Sequence, residues 1–443
     1  MKILVYTCNQ LKYLKTMLKT IHYLQTIIPI DLFIVDNYSA DGTLIWLQEH
    51  PELNFIAFDE EKEKFSVVLN QTLDVFGIAE DLLIIRPNFM MMPDTIIGLQ
   101  KFVNSLDDKP AIVGLYSNSF EYTQYINISA YSGTITFDDS MDLSYKKELG
   151  VNPNVLYLHR NIYEAVGQFD EQFGKAWECM EDFYLRTIKN DIPIIVPKAP
   201  IAIFDTDANR QTIDTEFLTD REHLKEKWNM NYFNMQPNCN IVETVVKDSI
   251  PNAKILEIGC DNAATLIEIK NILPDVKLYG VELNETAAEI ASHFAEVYTG
   301  NIEENFHFDD IAFDYIIFGD VLEHLSDPQR ILGICTEHLS PNGKIVASIP
   351  NLMHISVIAD LLKGNFRYSD IGLLDKTHIH FFTYNEIIRM FQNVGLNHLD
   401  FRSVHDEKET ERNNEIIDTL LKLEPSAERF MYTTFQYIVI AEV

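Results

Sequence analysis

Several acidic residues in this sequence close apolar runs. In LFIVDNYSADGT, Asp36 ends a β-branched run and is followed by Ser39, Asp41, Gly42 and Thr43. At the carboxyl end of a parallel strand, such a carboxylate can accept hydrogen bonds from a base or a ribose. The plainer alternative is an Asx turn and helix N-cap, which Asp41 and Thr43 can form unaided. In KILEIGCDNAATL, Glu257 precedes Gly259, where the missing Cβ lets a ligand approach the backbone closely. Glu282 closes the next run, LYGVEL, and is suited to gripping the two hydroxyls of a ribose. A third concentration is Asp320, Glu323 and His324 in DVLEH. On a helix beginning near Asp320 these three share one face, and His378 or His380 from THIHFF can complete a carboxylate and imidazole cluster. Such a cluster can act as a general base or hold a divalent cation that acidifies a hydroxyl. A bland reading also stands, in which His324 caps local structure and Glu323 contacts substrate.

Positioning these residues requires an α/β architecture. Short apolar runs at 3–6, 32–35 and 81–85 alternate with amphipathic stretches such as LKYLKTMLKTIHYL, the pattern of parallel strands joined by helices. A second series starts at 255, where ILEIG, KLYGVEL, FDYIIFG and KIVASIP each read as a strand, and TTFQYIVIAEV supplies a terminal one. Between them REHLKEKWNMNYFNMQPNCN reads as a charged helix stopped by Asn and Pro. Two domains are expected, 1–236 and 237–443.

Composition excludes some partners. The 443 residues include 35 Lys plus Arg against 67 Asp plus Glu, a formal net charge of -32, with both halves acidic. Such a surface repels nucleic-acid phosphates and anionic lipid headgroups. The five cysteines contain no C-x-x-C pair, which disfavours a disulfide framework or zinc knuckle. No run of about 18 uncharged apolar residues occurs, and no apolar signal region opens the chain. The expectation is a cytoplasmic protein without a transmembrane segment, meeting any lipid-linked substrate at the membrane surface.

In the first half, D-N-Y-S-A-D-G-T resembles the signature of family 2 inverting glycosyltransferases with the A-type nucleotide-sugar fold. VYTCNQLKYLKTML, GQFDEQF and MEDFYLRTIKND resemble further landmarks of that family in order, over about residues 1–230. The resemblance implies a nucleotide-sugar donor held by Thr7, Asn9, Asp36, Arg86 and Asn88, and Asp182 as the general base that deprotonates an acceptor hydroxyl. It also implies Mg2+ or Mn2+ on the diphosphate. This chain departs there: IIRPNFMMMPDT places Asn88 at the metal position with Arg86 just before it, and IAIFDTD offers Asp205 where a histidine is usual. Either Asn88 and Asp205 hold the cation, or Arg86 partly replaces it with a guanidinium fork, or transfer has been lost.

The second half resembles class I S-adenosylmethionine-dependent methyltransferases over residues 240–443, through LEIGCDNAATL, GVELN, TGNIEE, FDYIIFGDVLEHLSDPQRIL and LSPNGKIVASIPN. GLLDKTHIHFFT is particularly like the subgroup found with sugar and polysaccharide biosynthesis. The resemblance implies Glu257 and Gly259 at the cofactor's amino-acid moiety, Glu282 at its ribose, Asn301 and Ile302 at its adenine, and Asp320 beside the transferable methyl. It also relates Asp320, Glu323, His324 and His378 to an E-x-x-E-H pattern that binds a divalent cation in some methyltransferases. The whole chain then reads as a bifunctional enzyme, transferring a sugar and a methyl group to a glycan, lipid-linked sugar or glycoprotein acceptor. The alternative is an active methyltransferase whose first domain only docks a glycan.

Overall fold

The structure is a computed structural model that describes residues 1–59, 63–76, 80–117, 141–199, 202–205, 219–230, 233–308, 310–405 and 411–443, with only the backbone of Pro93 and of 202–205. The chain divides into two compact units, Met1–Gln236 and Pro237–Val443.

The first unit is built on an eight-stranded sheet. Its strands are β1 (Lys2–Thr7), β2 (Asp31–Asn37), β3 (Asn54–Phe58) and β4 (Leu82–Ile85), with β5 (Phe89–Met90), β6 (Ile112–Gly114), β7 (Tyr116–Ser117) and β8 (Tyr145–Glu148) following. β9 (Val155–Leu158), β10 (Ile194–Pro197) and β11 (Ala202–Asp205) are the remaining strands among the described residues. The large sheet runs β3-β2-β1-β4-β9-β6-β10-β8, and β5-β11-β7 forms a small second sheet. β1 pairs in parallel with both β2 and β4, while β9 runs antiparallel between β4 and β6. Ile3, Leu4 and Val5 are wholly buried, as continuous apolar runs in a centrally placed parallel strand require. The helix Leu11–Gln25 covers one face, burying Leu14, Met17, Leu18, Ile21 and Leu24 at helical spacing.

The second unit has one seven-stranded sheet. Its strands are β12 (Lys254–Ile258), β13 (Lys277–Glu282), β14 (Glu296–Thr299), β15 (Phe313–Gly319), β16 (Leu339–Pro350), β17 (His398–Val404) and β18 (Gln436–Glu442). Their order is β14-β13-β12-β15-β16-β18-β17. All neighbours are parallel except that β18 runs antiparallel to both β16 and β17. This is a Rossmann-like arrangement, with an apolar core that includes Phe313, Ile316, Phe318, Ile345, Phe391 and Tyr437.

In both units the strand order reverses beside the first strand. β1, β2 and β3 step one way before β4 adds to the other side of β1, and β12, β13 and β14 do the same before β15. Ligands of open α/β sheets bind in the crevice at the carboxyl ends of the two strands flanking that switch. In this protein those edges are marked by Thr7 with Arg86, and by Gly259 with Asp320.

One local expectation fails. No helix begins near Asp320: β15 ends at Gly319, Asp320 is left-handed at φ 57, and Leu322–His324 is a single 3-10 turn. The helix of this segment is Pro328–Glu337, started by Asp327, whose side chain accepts from the Arg330 N–H, and by Pro at its first position.

Candidate functional site

At the carboxyl edge of the second sheet, backbone strain gathers where β12 and β15 end. Gly259, Asp261 and Ala263 have φ of 68, 48 and 68, and Asp320 has φ 57. Non-glycine residues in this region are held there by their surroundings, and such positions cluster at ligand sites. Gly259 is required twice over: its φ is left-handed, and a Cβ would come within 2.6 Å of Val321 Cγ2.

The expected cofactor residues line this edge. Glu257 is buried, with Oε2 lacking a hydrogen-bond partner, and burial holds its carboxyl well above the usual range, with the Asp261 charge adding to it. Glu282 is half-buried at the end of β13; its Oε2 accepts from the Asp261 N–H at 2.9 Å and its Oε1 from the Asn284 N–H at 2.7 Å. Each oxygen keeps a lone-pair direction for a hydroxyl donor. Beyond β14, Asn301 Oδ1 accepts from the Glu303 N–H at 2.9 Å, and Ile302 is buried. Tyr298 stacks on His307 with ring centroids 3.5 Å apart, a contact that the spacing of motifs did not disclose.

Asp320 is fastened from elsewhere in the sheet. Its N–H donates to Ser348 Oγ at 2.9 Å, and its Oδ1 accepts from the Gln436 side chain. Burial raises its carboxyl above the ordinary value, against those two partners. Neither Ser348 nor Gln436 is legible as a site residue in the sequence, because only the pairing of β15, β16 and β18 brings them there.

The cluster beyond Asp320 is smaller than expected. Glu323, His324 and His378 offer ligand atoms all within 4.8 Å of one another. Asp320 does not belong to that group, because its left-handed backbone breaks the helical spacing that would have aligned it with Glu323. Of the two histidines in THIHFF, His378 enters the cluster, with Nε2 at 3.9 Å from Glu323 Oε1. His380 turns its Nε2 towards the Ser326 carbonyl at 3.3 Å. The Ile379 and His380 N–H groups both donate to the Glu323 carbonyl at 3.0 Å, which fixes this loop on the 3-10 turn. His324 Nδ1 meets the Thr377 carbonyl at 3.1 Å, so that carbonyl selects the Nδ1–H tautomer and leaves Nε2 as an acceptor.

Glu323 is 1% exposed, and neither carboxylate oxygen has a hydrogen-bond partner. Burial pushes its carboxyl up to about 8, with the Asp320 charge second. His378 Nδ1 also lacks a partner, and burial lowers the imidazole below its ordinary value, with the His324 charge second. A buried, unpaired carboxylate beside two imidazoles suits proton transfer or cation binding.

In the first unit, the strand ends also carry left-handed residues, Asn9 after β1 and Tyr38 after β2. Asp36 is buried, accepts from Ser39 Oγ, and is raised by that burial. Asn9 N–H donates to Ser39 Oγ at 2.8 Å and Asn9 Oδ1 accepts from the Ala40 N–H at 2.7 Å, tying the two strand ends together. Asp41 accepts from the Leu11 and Thr43 N–H groups at 2.8 and 3.1 Å, which is the turn-and-cap role. Thr7 is buried without a partner for its hydroxyl. The Arg86 guanidinium lies 5.3 Å from the Tyr6 ring centroid, and Asn88 Oδ1 accepts from Gln10 Nε2 at 3.1 Å. Asp205 pairs with Phe89 across β11 and β5, next to Asn88 along the chain; its side chain lies outside the described residues.

Asp182 occupies a different setting from the one a general base needs. On the helix Ala176–Lys189 it is 0% exposed, with Oδ1 accepting from Trp228 Nε1 at 2.9 Å and Lys227 Nζ at 2.6 Å, and Oδ2 from Arg186 Nε at 2.9 Å. Its neighbour Glu181 is paired with Arg221 at 2.7 Å and pushed up to about 7 by burial, which that guanidinium opposes.

Residues 230–400 match a family described as a methyltransferase domain. The chain is similar to the ubiquinone biosynthesis O-methyltransferase of Coxiella burnetii, 23% identical over 212 residues that cover 44% of this chain and 88% of that protein. It is also similar to the demethylmenaquinone methyltransferase of Bacillus cytotoxicus, 24% identical over 179 residues, 35% of this chain and 75% of that protein. Among solved structures, a SAM-dependent methyltransferase from Archaeoglobus fulgidus aligns at 16% identity and a TM-score of 0.33, covering 50% of this chain and 99% of that one.

Proposed function

We propose an acceptor and a chemistry for the second unit, which is a class I S-adenosylmethionine-dependent methyltransferase domain: transfer of the donor's methyl group to a hydroxyl or amine of a sugar-bearing acceptor seated at Glu323, His324 and His378. In this reading Glu257 and Gly259 receive the donor's amino-acid moiety, Glu282 its ribose hydroxyls, Asn301 and Ile302 its adenine, and Asp320 stands beside the methyl. The acceptor atom attacks the methyl carbon as the carbon–sulfur bond breaks, the bonding pair stays on sulfur, and S-adenosylhomocysteine leaves. A hydroxyl acceptor must lose its proton to the cluster. The observation that carries this reading is the buried Glu323 carboxylate, unpaired and beside two imidazoles, one turn past the end of β15.

The same three residues, one carboxylate and two imidazoles with converging ligand atoms, suit Mn2+ better than Mg2+, which is held through oxygen. Such a cation would lower the pKa of the acceptor hydroxyl. Calorimetric titration with S-adenosylhomocysteine tests the donor assignment: binding should be tighter than for NAD and weakened by Glu282→Ala. Methyl transfer abolished by EDTA and restored by added cation assigns the cluster to a metal. Activity that survives EDTA but falls on His324→Ala assigns His324 as the base.

A second reading concerns the first unit, and the switch-point edge favours it. Thr7, Asn9, Asp36 and Arg86 meet where a nucleotide-sugar donor would lie across an open α/β sheet. Binding of such a donor is proposed there, with transfer to a glycan, lipid-linked sugar or glycoprotein acceptor as one outcome and acceptor docking as the other. The burial of Asp182 among Arg186, Lys227 and Trp228 favours docking. Donor hydrolysis that depends on Asp182 would exclude a pure docking role.

A further inference from the structure

Among the described side chains of the first unit, which do not include that of Asp205, the cation that the family resemblance implies on a nucleotide diphosphate has a poor seat. Asn88 is neutral, and its carbonyl oxygen already accepts from Gln10. Asp36 and Asp41 are engaged by Ser39, and by Leu11 and Thr43. Among the described residues, the one group with converging acidic or imidazole ligands is Glu323, His324 and His378, in the other unit.

The same edge instead presents donors without acceptors. Arg86 Nε is buried with no partner, and Arg86 makes no ion pair among the described residues. Its N–H donates to the Asn154 carbonyl at 3.0 Å, which fixes it against the segment leading into β9. In that segment Asn152 is 2% exposed; its Oδ1 caps the Asn154 N–H at 3.0 Å, and its Nδ2 has no acceptor. The end of β4 and the segment leading into β9, joined through the Asn154 backbone, thus each hold a buried donor, a guanidinium N–H and an amide N–H. Buried donors without acceptors are costly, and a group of donors including a cation is met best by an anion rich in acceptor oxygens. The Tyr6 ring beneath the guanidinium holds its plane in place.

We propose that this edge binds the diphosphate of a nucleotide directly, with Arg86 supplying the positive charge that a divalent cation would otherwise bring and Asn152 donating a second hydrogen bond. The proposal rests on the nucleotide-sugar reading of the first unit and adds to it the absence of a metal requirement.

Titration calorimetry of the full chain with UDP, dTDP and GDP, in EDTA and again with Mn2+, tests it. At least one nucleotide should bind with affinities in the two buffers that agree within about twofold. A charge-assisted hydrogen bond contributes roughly 1.5–3 kcal/mol, so Arg86→Met should weaken binding about 10- to 100-fold, with Arg86→Lys in between. Asn88→Asp should gain a response to Mn2+, because a carboxylate then stands where the amide was. Circular dichroism melts of each variant report whether the fold is kept, and Asn88→Asp decides the matter if Arg86→Met is lost to unfolding. Binding that requires Mn2+ in the native chain, full affinity in Arg86→Met, or an Asn88→Asp variant indifferent to Mn2+ overturns the role of Arg86 and leaves the nucleotide reading standing. No binding by any of the three nucleotides in either buffer overturns both.

Discussion

Glu323 carries the sharpest consequences at the scale of single residues. Its folded carboxyl sits near 8, above the ordinary carboxylate range. The folded state therefore holds this proton more tightly than the unfolded chain. The stability it contributes is present below the unfolded pKa and is lost as pH rises towards about 8, at no more than about 1.4 kcal/mol per pH unit. In EDTA, Glu323→Gln should remove that loss, so that the variant is more stable than the native chain at pH 8 while methyl transfer falls; urea unfolding at pH 5 and pH 8 measures it. A cation must displace the same proton, so Mn2+ affinity measured by calorimetry should rise from pH 6 to pH 8 if the cluster binds metal. Asp182 gives the opposite signature. Asp182→Asn leaves Arg186 facing a neutral amide while Lys227 keeps Asp170, and breaking a largely buried pair of this kind costs about 3 kcal/mol. Its melting temperature should drop, and a loss of donor hydrolysis in that variant must be judged against that drop.

At the scale of elements, the turn after β12 is the part whose failure should be most visible. Gly259→Ala places a Cβ against Val321 and forces alanine into left-handed backbone, at about 1–2 kcal/mol for the conformation alone. S-adenosylhomocysteine affinity should fall at least tenfold in calorimetry. Adding Val321→Ala relieves the contact but not the backbone strain, so affinity should return only in part. The periodic parts of these elements were legible in the sequence. Burial of Leu14, Met17, Leu18, Ile21 and Leu24 follows from their spacing, and β1 follows from its apolar run. The segment after β15 was not legible, because DVLEH has helical spacing yet Asp320 takes a left-handed conformation. Tertiary bonds to Ser348 and Gln436 hold it there, outweighing local preference.

For the whole molecule, two compact units with their own apolar cores predict two unfolding transitions. S-adenosylhomocysteine at about 100 times its dissociation constant should stabilise one of them by about 2.7 kcal/mol. Scanning calorimetry should show the shift in the transition of residues 237–443, and that fragment expressed alone should show the same shift. The net charge of -32 is a property of the whole chain, and its consequence is repulsion of polyanions. Within that acidic background, Arg86 and its unpaired Nε stand out as a local exception.

The sequence by itself determined the alternation of strands and helices, the two series of elements, and which residues stand at strand ends, because hydrophobic period and chain order are local properties. Thus Asp36, Glu257 and Glu282 were found as strand-end acids from sequence alone, and the structure keeps them there. Tertiary structure decided what each such residue faces. It chose His378 over His380, detached Asp320 from the cluster, locked Asp182 among Arg186, Lys227 and Trp228, and tied Arg86 to the Asn154 carbonyl. Each choice depends on a contact between segments far apart in the chain, made when strands pair and loops are fastened across them, and no local spacing encodes which atoms that pairing brings within a hydrogen bond.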